Sequence, residues 1–208
     1  MKNISIACLV GLATLVILSQ ASMANPNVQW PSHNTDGADG LPNDDLNNSR
    51  NTSGCDAFTD LPLVAGTRNF DAGGGRLNTI THYLRDHFQV TNFVYDPFNR
   101  SEEENKKVLE QVEQGSFDTA SSMSVLNVIS TIEARREHLQ LIYRALKPGG
   151  RAYFKIYKGD GSGIEFKGDG RYQVNQGAEF FLPEITAVFG RMNVTCEPEK
   201  NLLTAFKA

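Results

Sequence analysis

The chain has 208 residues and a formal net charge of −4, and 40% of its residues are hydrophobic. This length and apolar content allow one sizeable core, so we expect one domain. An acidic chain is poorly suited to bind a phosphate backbone, so we expect no nucleic-acid partner.

Residues 1–24 have the organisation of a secretory signal peptide. Lys2 gives a basic start, an apolar run extends from Ile4 to Leu18, and Ser22-Met23-Ala24 fits the small-x-small rule for cleavage. The run is shorter than the roughly 20 residues that span a bilayer. We therefore predict cleavage near Ala24 and an exported chain, periplasmic or secreted, without a stable membrane span. An uncleaved anchor is one alternative, and translation from Met23, which would give a cytoplasmic protein, is another.

Residues 25–60 are rich in Asn, Asp, Gly, Ser and Pro and lack apolar periodicity. Such a composition does not bury enough surface to offset the entropy of ordering. We predict a flexible leader here, followed by a domain at 61–208. Beyond the signal peptide the chain keeps Cys55 and Cys196, for which a disulfide and two free thiols are both open. His33 has no second ligand nearby, so no metal site is predicted.

From residue 61 onward, helical and strand-like segments alternate. The predicted strands are 67–70, 90–95, 117–126 and 151–157, and a β-hairpin is predicted at 192–208. The predicted helices are 77–88, 101–115, 131 to the Pro-Gly-Gly stop at 148–150, and 182–190. This alternation predicts an α/β fold with a mainly parallel sheet covered on both faces and an antiparallel C-terminal edge.

Three details of these helices are specific enough to test. Ser101 and Glu104 have the spacing of a capping box, and Pro183 is suited to the first turn of the last helix. Ile132 is predicted on the apolar face of the helix that starts at residue 131. Each histidine on the predicted helices is interpreted as a surface residue; these are His82, His87 and His138.

A glycine-rich loop, Gly73-Gly74-Gly75, follows the first predicted strand, and Asp96 ends the second strand 21 residues later. Glycines let backbone N–H groups approach a ligand, and a carboxylate at Asp96 is placed to bind both ribose hydroxyls. A dinucleotide fingerprint requires a third glycine where this chain has Asn78. A ligand that combines adenosine with an amino acid and lacks phosphate fits better.

Four motifs, FDAGGGRL, VYDPF, FDTASSMSVLNVI and LKPGGRAYFKIY, stand in the order seen in class I S-adenosylmethionine-dependent methyltransferases. The chain resembles this family over residues 65–208. The resemblance implies a Rossmann-like three-layer sandwich and S-adenosylmethionine as cofactor. It further implies that Asp71 and Gly73 to Gly75 surround the methionine end, that Asp96 holds the ribose, and that Ser121 and Ser122 border the transferred methyl group.

The chain departs from the family pattern in two places. Only one helix fits between Asp96 and Asp118, so the third strand of the family sheet is predicted to be missing. The first strand, 67–70, is polar for a strand buried on both faces. The sequence therefore leaves two functions open, an active methyltransferase and a catalytically inactive methyltransferase-like binding module.

The substrate side is predicted in the long glycine-rich segment 157–181, because binding loops commonly follow sheet strands. Its candidate substrate contacts are Tyr157, Tyr172, Gln173 and Asn175. The chain has SSMSVLN where amino-group nucleic-acid methyltransferases carry an Asn/Asp-Pro-Pro-aromatic run, which again disfavours nucleic acid. We expect a small-molecule or protein substrate and assign no catalytic residue, since methyl transfer depends mainly on alignment.

Overall fold

A computed structural model of the chain describes residues 54–166 and 172–208. The predicted signal peptide and most of the predicted leader therefore lie outside the described residues. Within those two ranges, none of the helices has the length and apolarity needed to cross a membrane. Cys55 and Cys196 are both free thiols.

The described chain alternates strands and helices, as the sequence predicts. The elements are β1 Arg68–Ala72, α1 Thr79–Phe88, β2 Thr91–Tyr95, α2 Glu102–Val112, β3 Phe117–Met123, α3 Ile132–Ala145, β4 Leu146–Lys155, β5 Gly163–Phe166, β6 Tyr172–Asn175, α4 Ala178–Phe189, β7 Val194–Glu197 and β8 Leu202–Phe206. A short 3-10 turn, Leu126–Val128, follows β3.

One six-stranded sheet organises the molecule, with strand order β2-β1-β3-β4-β8-β7. Strands β2, β1, β3 and β4 are parallel neighbours. β8 lies antiparallel between β4 and β7. In the described part of the chain β2 is an edge strand, so the predicted α/β fold with a missing third strand and a C-terminal antiparallel hairpin is confirmed.

The helices form a layer on each face of this sheet. The β1–β2 and β2–β3 connections run in opposite directions across the sheet, so right-handed crossovers place α1 and α2 on opposite faces. The larger core cluster joins α2, α3 and α4 to the sheet around Phe70 and Phe154. A smaller cluster joins α1 to Phe58, and Phe58 belongs to a helical turn at 54–59. Residues 54–60 of the predicted leader thus contribute to the described fold.

Several predicted boundaries are corrected. α3 ends at Ala145 and the Pro-Gly-Gly segment already lies in β4, where an irregular register against β3 accommodates it. Ile132 is exposed, because it is the first residue of α3 and not part of its buried face. α4 begins at Ala178, which puts Pro183 inside the helix. The buried side chains of Ala178 and Phe181 draw this extra turn onto the core.

Candidate cofactor and substrate site

The predicted site residues meet at one edge of the sheet. β1, β2, β3 and β4 are parallel, so the loops that follow them leave from the same, carboxyl edge. These loops contain the glycines, Asp96, the 3-10 turn Leu126–Val128 and Tyr157. Ligands of open α/β sheets bind at this edge where the strand order reverses, here between β1 and β3.

Glycine is found at the three loop positions for different physical reasons. A Cβ on Gly73 would lie 2.6 Å from Cγ2 of Val125, and one on Gly74 would lie 2.5 Å from Oδ2 of Asp71. Both positions therefore require glycine for internal packing. Gly75 has φ +75° and a Cβ there would meet nothing within 4 Å. The loop consequently has an open side at Gly75, where a ligand could approach the backbone.

Asp71, the residue before the last of β1, is a buried carboxylate with internal partners. Its Oδ1 accepts a hydrogen bond from Ser121 Oγ at 2.9 Å, and its Oδ2 accepts one from Asn92 Nδ2 at 3.2 Å. Burial raises the pKa of Asp71, while these two hydrogen bonds oppose the rise. The carboxylate of Asp71 thus packs directly against Gly74 and limits where the glycine loop can lie.

The polar residues of β1 are explained by the same network. Asn69 Nδ2 donates to Asn92 Oδ1 at 2.7 Å and to Ser121 Oγ at 2.9 Å. Thr119 Oγ1 donates to Asn69 Oδ1 at 2.8 Å. A buried polar group is costly only when it lacks a partner. The polar side chain of Asn69 in β1 therefore has hydrogen-bond partners on both neighbouring strands, β2 and β3. The sequence did not predict these partners.

Asp96, the predicted ribose ligand, is buried at the end of β2. Its Oδ1 accepts from the backbone N–H groups of Phe98 and Asn99 and from Asn99 Nδ2, each at 3.0 Å. Its Oδ2 accepts from Gly75 N at 2.9 Å. Oδ1 therefore receives three donors and Oδ2 only one, so Oδ2, beside the open side of Gly75, is the oxygen that would accept a further donor such as one ribose hydroxyl.

Arg100 is a site residue that sequence reasoning missed. Its guanidinium donates to Gly75 O at 2.8 Å and to Leu77 O at 2.9 Å. Together with the bond from Gly75 to Asp96, these contacts join the glycine loop to the loop after β2. No motif marks Arg100, because its partners are backbone carbonyls that any sequence would supply.

Ser122 is held by a buried histidine. Ser122 Oγ lies 2.9 Å from His138 Nε2, and both residues are buried. Burial lowers the pKa of His138 to about 4, so the ring is neutral at pH 7. The surface prediction was wrong for His138 and is confirmed for His82 and His87. A signal was available, since His138 lies four residues before Ile142 on the buried face of α3.

The candidate substrate residues separate into two groups. Tyr157 is exposed in the loop after β4, whereas Tyr172 is part of the core. Asn175 is buried, with Nδ2 3.1 Å from Asp160 Oδ1 and Oδ1 accepting from Gln173. Asn175 therefore links β6 to the loop after β4, and Gln173 binds Asn175 within the same strand. Of the four candidates, Tyr157 offers the exposed side chain that a substrate contact requires.

The arrangement fits the predicted cofactor in its main features. The open side of Gly75 and Oδ2 of Asp96 lie together at the edge where adenosine is expected. Within residues 54–166 and 172–208, no group of three or more His, Cys, Asp or Glu side chains is placed to hold a metal ion.

No protein-family model and no curated protein sequence matches the chain. Solved structures do match. An O-methyltransferase family protein from Burkholderia thailandensis is 18% identical over 85% of this chain and 61% of its own, with a TM-score of 0.54. The S-adenosylmethionine-dependent methyltransferase SibL in its apo form is 16% identical over 77% of this chain and 56% of its own, with a TM-score of 0.54. PigF with SAH is 16% identical over 79% and 61%, with a TM-score of 0.51.

The described chain spans less than two thirds of the length of each of these three proteins. At these identities the similarity is one of fold. The chain has the class I methyltransferase fold, and the predicted Rossmann-like architecture is confirmed.

Proposed function

We propose that this chain is an S-adenosylmethionine-dependent methyltransferase. The observation that carries the proposal is the pairing of Gly75 and Asp96, an open backbone position beside a carboxylate oxygen that accepts a single hydrogen bond. This pair stands at the ligand-binding edge of a class I methyltransferase fold. The alternative of an inactive binding module has no support from SibL or from the Burkholderia thailandensis protein, whose names describe methyltransferases.

Different residues would bind different parts of the cofactor. Asp96 Oδ2 would accept a ribose hydroxyl, and the loop at Gly73 to Gly75 would lie along the methionine end. Asp71 and Arg100 hold that loop from two sides through Gly74 and Gly75. Bound S-adenosylmethionine supplies a methyl group activated by its positively charged sulfur. The protein then has to align the acceptor with that methyl group, because alignment accounts for much of the rate of such reactions.

Ser122 would border the reacting groups. Its hydroxyl oxygen is held 2.9 Å from Nε2 of the neutral His138 ring near the end of β3. The substrate, a small molecule or a protein side chain, would approach past Tyr157 from the loop after β4.

Calorimetric titration of the purified full chain with S-adenosylhomocysteine tests the proposal. We expect binding by the wild type and at least a tenfold loss of affinity in Gly75→Ala, whose methyl group fills the open side of the loop. Gly66→Ala is the matched control, because Gly66 has φ +80° and open surroundings as well but precedes β1 at the opposite edge. Its affinity should stay within about twofold.

Asp96→Ala should also lose affinity, since a ribose hydroxyl then lacks its acceptor, an effect of about 1–3 kcal/mol. Absence of heat from the wild type, with no thermal shift at millimolar ligand, would reject the methyltransferase proposal.

A further inference from the structure

The glycine loop has few backbone hydrogen bonds of its own. In the described residues, Gly73 N donates to Tyr95 O at 2.8 Å, but no backbone group from Gly74 to Leu77 is bonded to another backbone group. Glycines also lose more conformational entropy on ordering than other residues do. Side chains from outside the loop are therefore needed to hold this segment in one conformation.

The turn from Asp96 to Arg100 supplies these side chains and holds Gly75 at both of its backbone polar groups. Asp96 Oδ2 accepts from Gly75 N at 2.9 Å, and Arg100 Nε donates to Gly75 O at 2.8 Å. Arg100 Nη2 also donates to Leu77 O at 2.9 Å. The protein itself thus fixes the loop at Gly75, where φ is +75°.

This turn is itself well supported. Asn105, buried in α2, accepts from Asp96 N at 2.9 Å, and it donates to Asp96 O at 2.9 Å and to Arg100 O at 3.2 Å. The side chain of Arg100 is only 9% exposed, and its ion pair with Glu104 is long, at 3.7 Å. Arg100 is therefore a mostly buried cation whose short hydrogen bonds go to two backbone carbonyls of the glycine loop.

We infer that Arg100 is a positioning residue, which keeps the glycine loop in its ligand-binding conformation before S-adenosylmethionine binds. The inference rests on the methyltransferase function proposed above, and it adds a residue that acts on the backbone of the loop and not on the ligand. When a protein populates its binding conformation only in part, its apparent affinity is reduced by that fraction. A loop that is held by side chains of its own protein avoids this reduction.

This role predicts which rate constant depends on Arg100. Without Arg100 fewer chains have the loop in the binding conformation, so the association rate constant falls. Once the ligand is bound, the loop has the same conformation with or without Arg100, so the dissociation rate constant stays nearly unchanged. A residue that contacts the ligand directly gives the opposite pattern, because most changes at an interface act on dissociation.

The first experiment tests the loop alone, by hydrogen exchange of backbone amides measured with NMR on the full chain. Arg100→Lys keeps the positive charge, but an ammonium group lacks the planar fork that reaches two carbonyls at once. We expect the N–H of Gly75 to exchange about tenfold faster in this variant, because the loop opens more often. Gly149 N, bonded to Lys207 O at 2.7 Å, is the internal reference and should exchange as in the wild type. Unchanged exchange at Gly75 would overturn the inference.

The second experiment measures binding of S-adenosylhomocysteine by surface plasmon resonance on the immobilised full chain. We expect Arg100→Lys to bind about tenfold more weakly, with the loss in the association rate constant and with a dissociation rate constant changed by less than about twofold. Faster dissociation with unchanged association would indicate a direct ligand contact and would overturn the positioning role. Unchanged affinity would overturn it as well.

Arg68→Lys is the matched control for general destabilisation. The guanidinium of Arg68 also donates to two partners, Ser116 Oγ at 2.8 Å and Gln111 Oε1 at 2.7 Å, but Arg68 begins β1 at the opposite edge of the sheet. The melting temperature of this variant should fall, whereas both rate constants should stay within about twofold of the wild type. A loss of association equal to that of Arg100→Lys would contradict a specific role of Arg100.

Failure of the wild type to bind S-adenosylhomocysteine is a separate result, which would reject the methyltransferase proposal. The exchange experiment then decides, without a ligand, whether Arg100 orders the glycine loop.

Discussion

Two neighbouring carboxylates show how the fold gives one chemical group two roles. Asp71 is buried on one face of the sheet with two donors, Ser121 and Asn92, and burial raises its pKa. Asp96 receives three donors on Oδ1 and only Gly75 N on Oδ2. Asp71 therefore supports the loop from inside, while Asp96 is the carboxylate that we propose as the ribose ligand. The negative charge of Asp96 contributes to the raised pKa of Asp71.

His138 should make the stability of the protein depend on pH. Burial lowers the pKa of its imidazole from 6.5 to about 4. Between pH 6.5 and 4 the ring is therefore protonated in the unfolded chain but not in the folded chain. The unfolding free energy has its full value above pH 6.5 and falls by about 3 kcal/mol between pH 6.5 and 4. His138→Gln should remove this loss, as measured by urea unfolding at several pH values. If the difference between the wild type and His138→Gln does not change with pH between 6.5 and 4, His138 is not neutral in the folded protein.

Single elements differ in how directly the sequence dictates them. The capping box at Ser101 and Glu104 forms as predicted, because both partners are three residues apart and need no tertiary context. α4 is different. Its first turn has no capping side chain at Gly177 and exists because Phe181 packs into the core. A boundary set by tertiary packing leaves no local signal, which is why Pro183 was misplaced.

The ion pair between α3 and α4 should be a main determinant of how these helices pack. Arg135 is buried and binds Glu184 through Nε at 2.8 Å, and its Nη1 donates to Ile129 O. Glu184→Gln leaves the buried guanidinium without its charge partner and should cost about 2–3 kcal/mol of unfolding free energy. Glu103→Gln, which breaks the exposed Glu103–Lys107 pair, should cost less than about 0.5 kcal/mol. Equal losses in urea unfolding would refute this assignment.

At the scale of the whole molecule, the alternation of strands and helices predicted the mainly parallel sheet and its antiparallel C-terminal edge. The missing third strand was predicted from the comparison with the class I methyltransferase pattern. The sequence also predicted that the glycine loop and Asp96 meet at one edge. It did not predict that donors from Phe98 and Asn99 occupy Asp96, or that Val125 packs on Gly73. These contacts depend on loop backbone geometry and on residues distant in sequence, for which a periodic pattern carries no information.

We predict that the protein is exported from the cell that makes it. Residues 1–24 combine Lys2, an apolar run and small residues up to Ala24, a combination typical of cleaved export signals. S-adenosylmethionine is made inside cells, so an exported methyltransferase has to bind it before leaving or meet it in another cell. We expect fractionation and N-terminal sequencing to find an exported chain that begins at Asn25. A cytosolic product that begins at Met1 or Met23 would contradict export, and the cofactor would then be available where the protein is made.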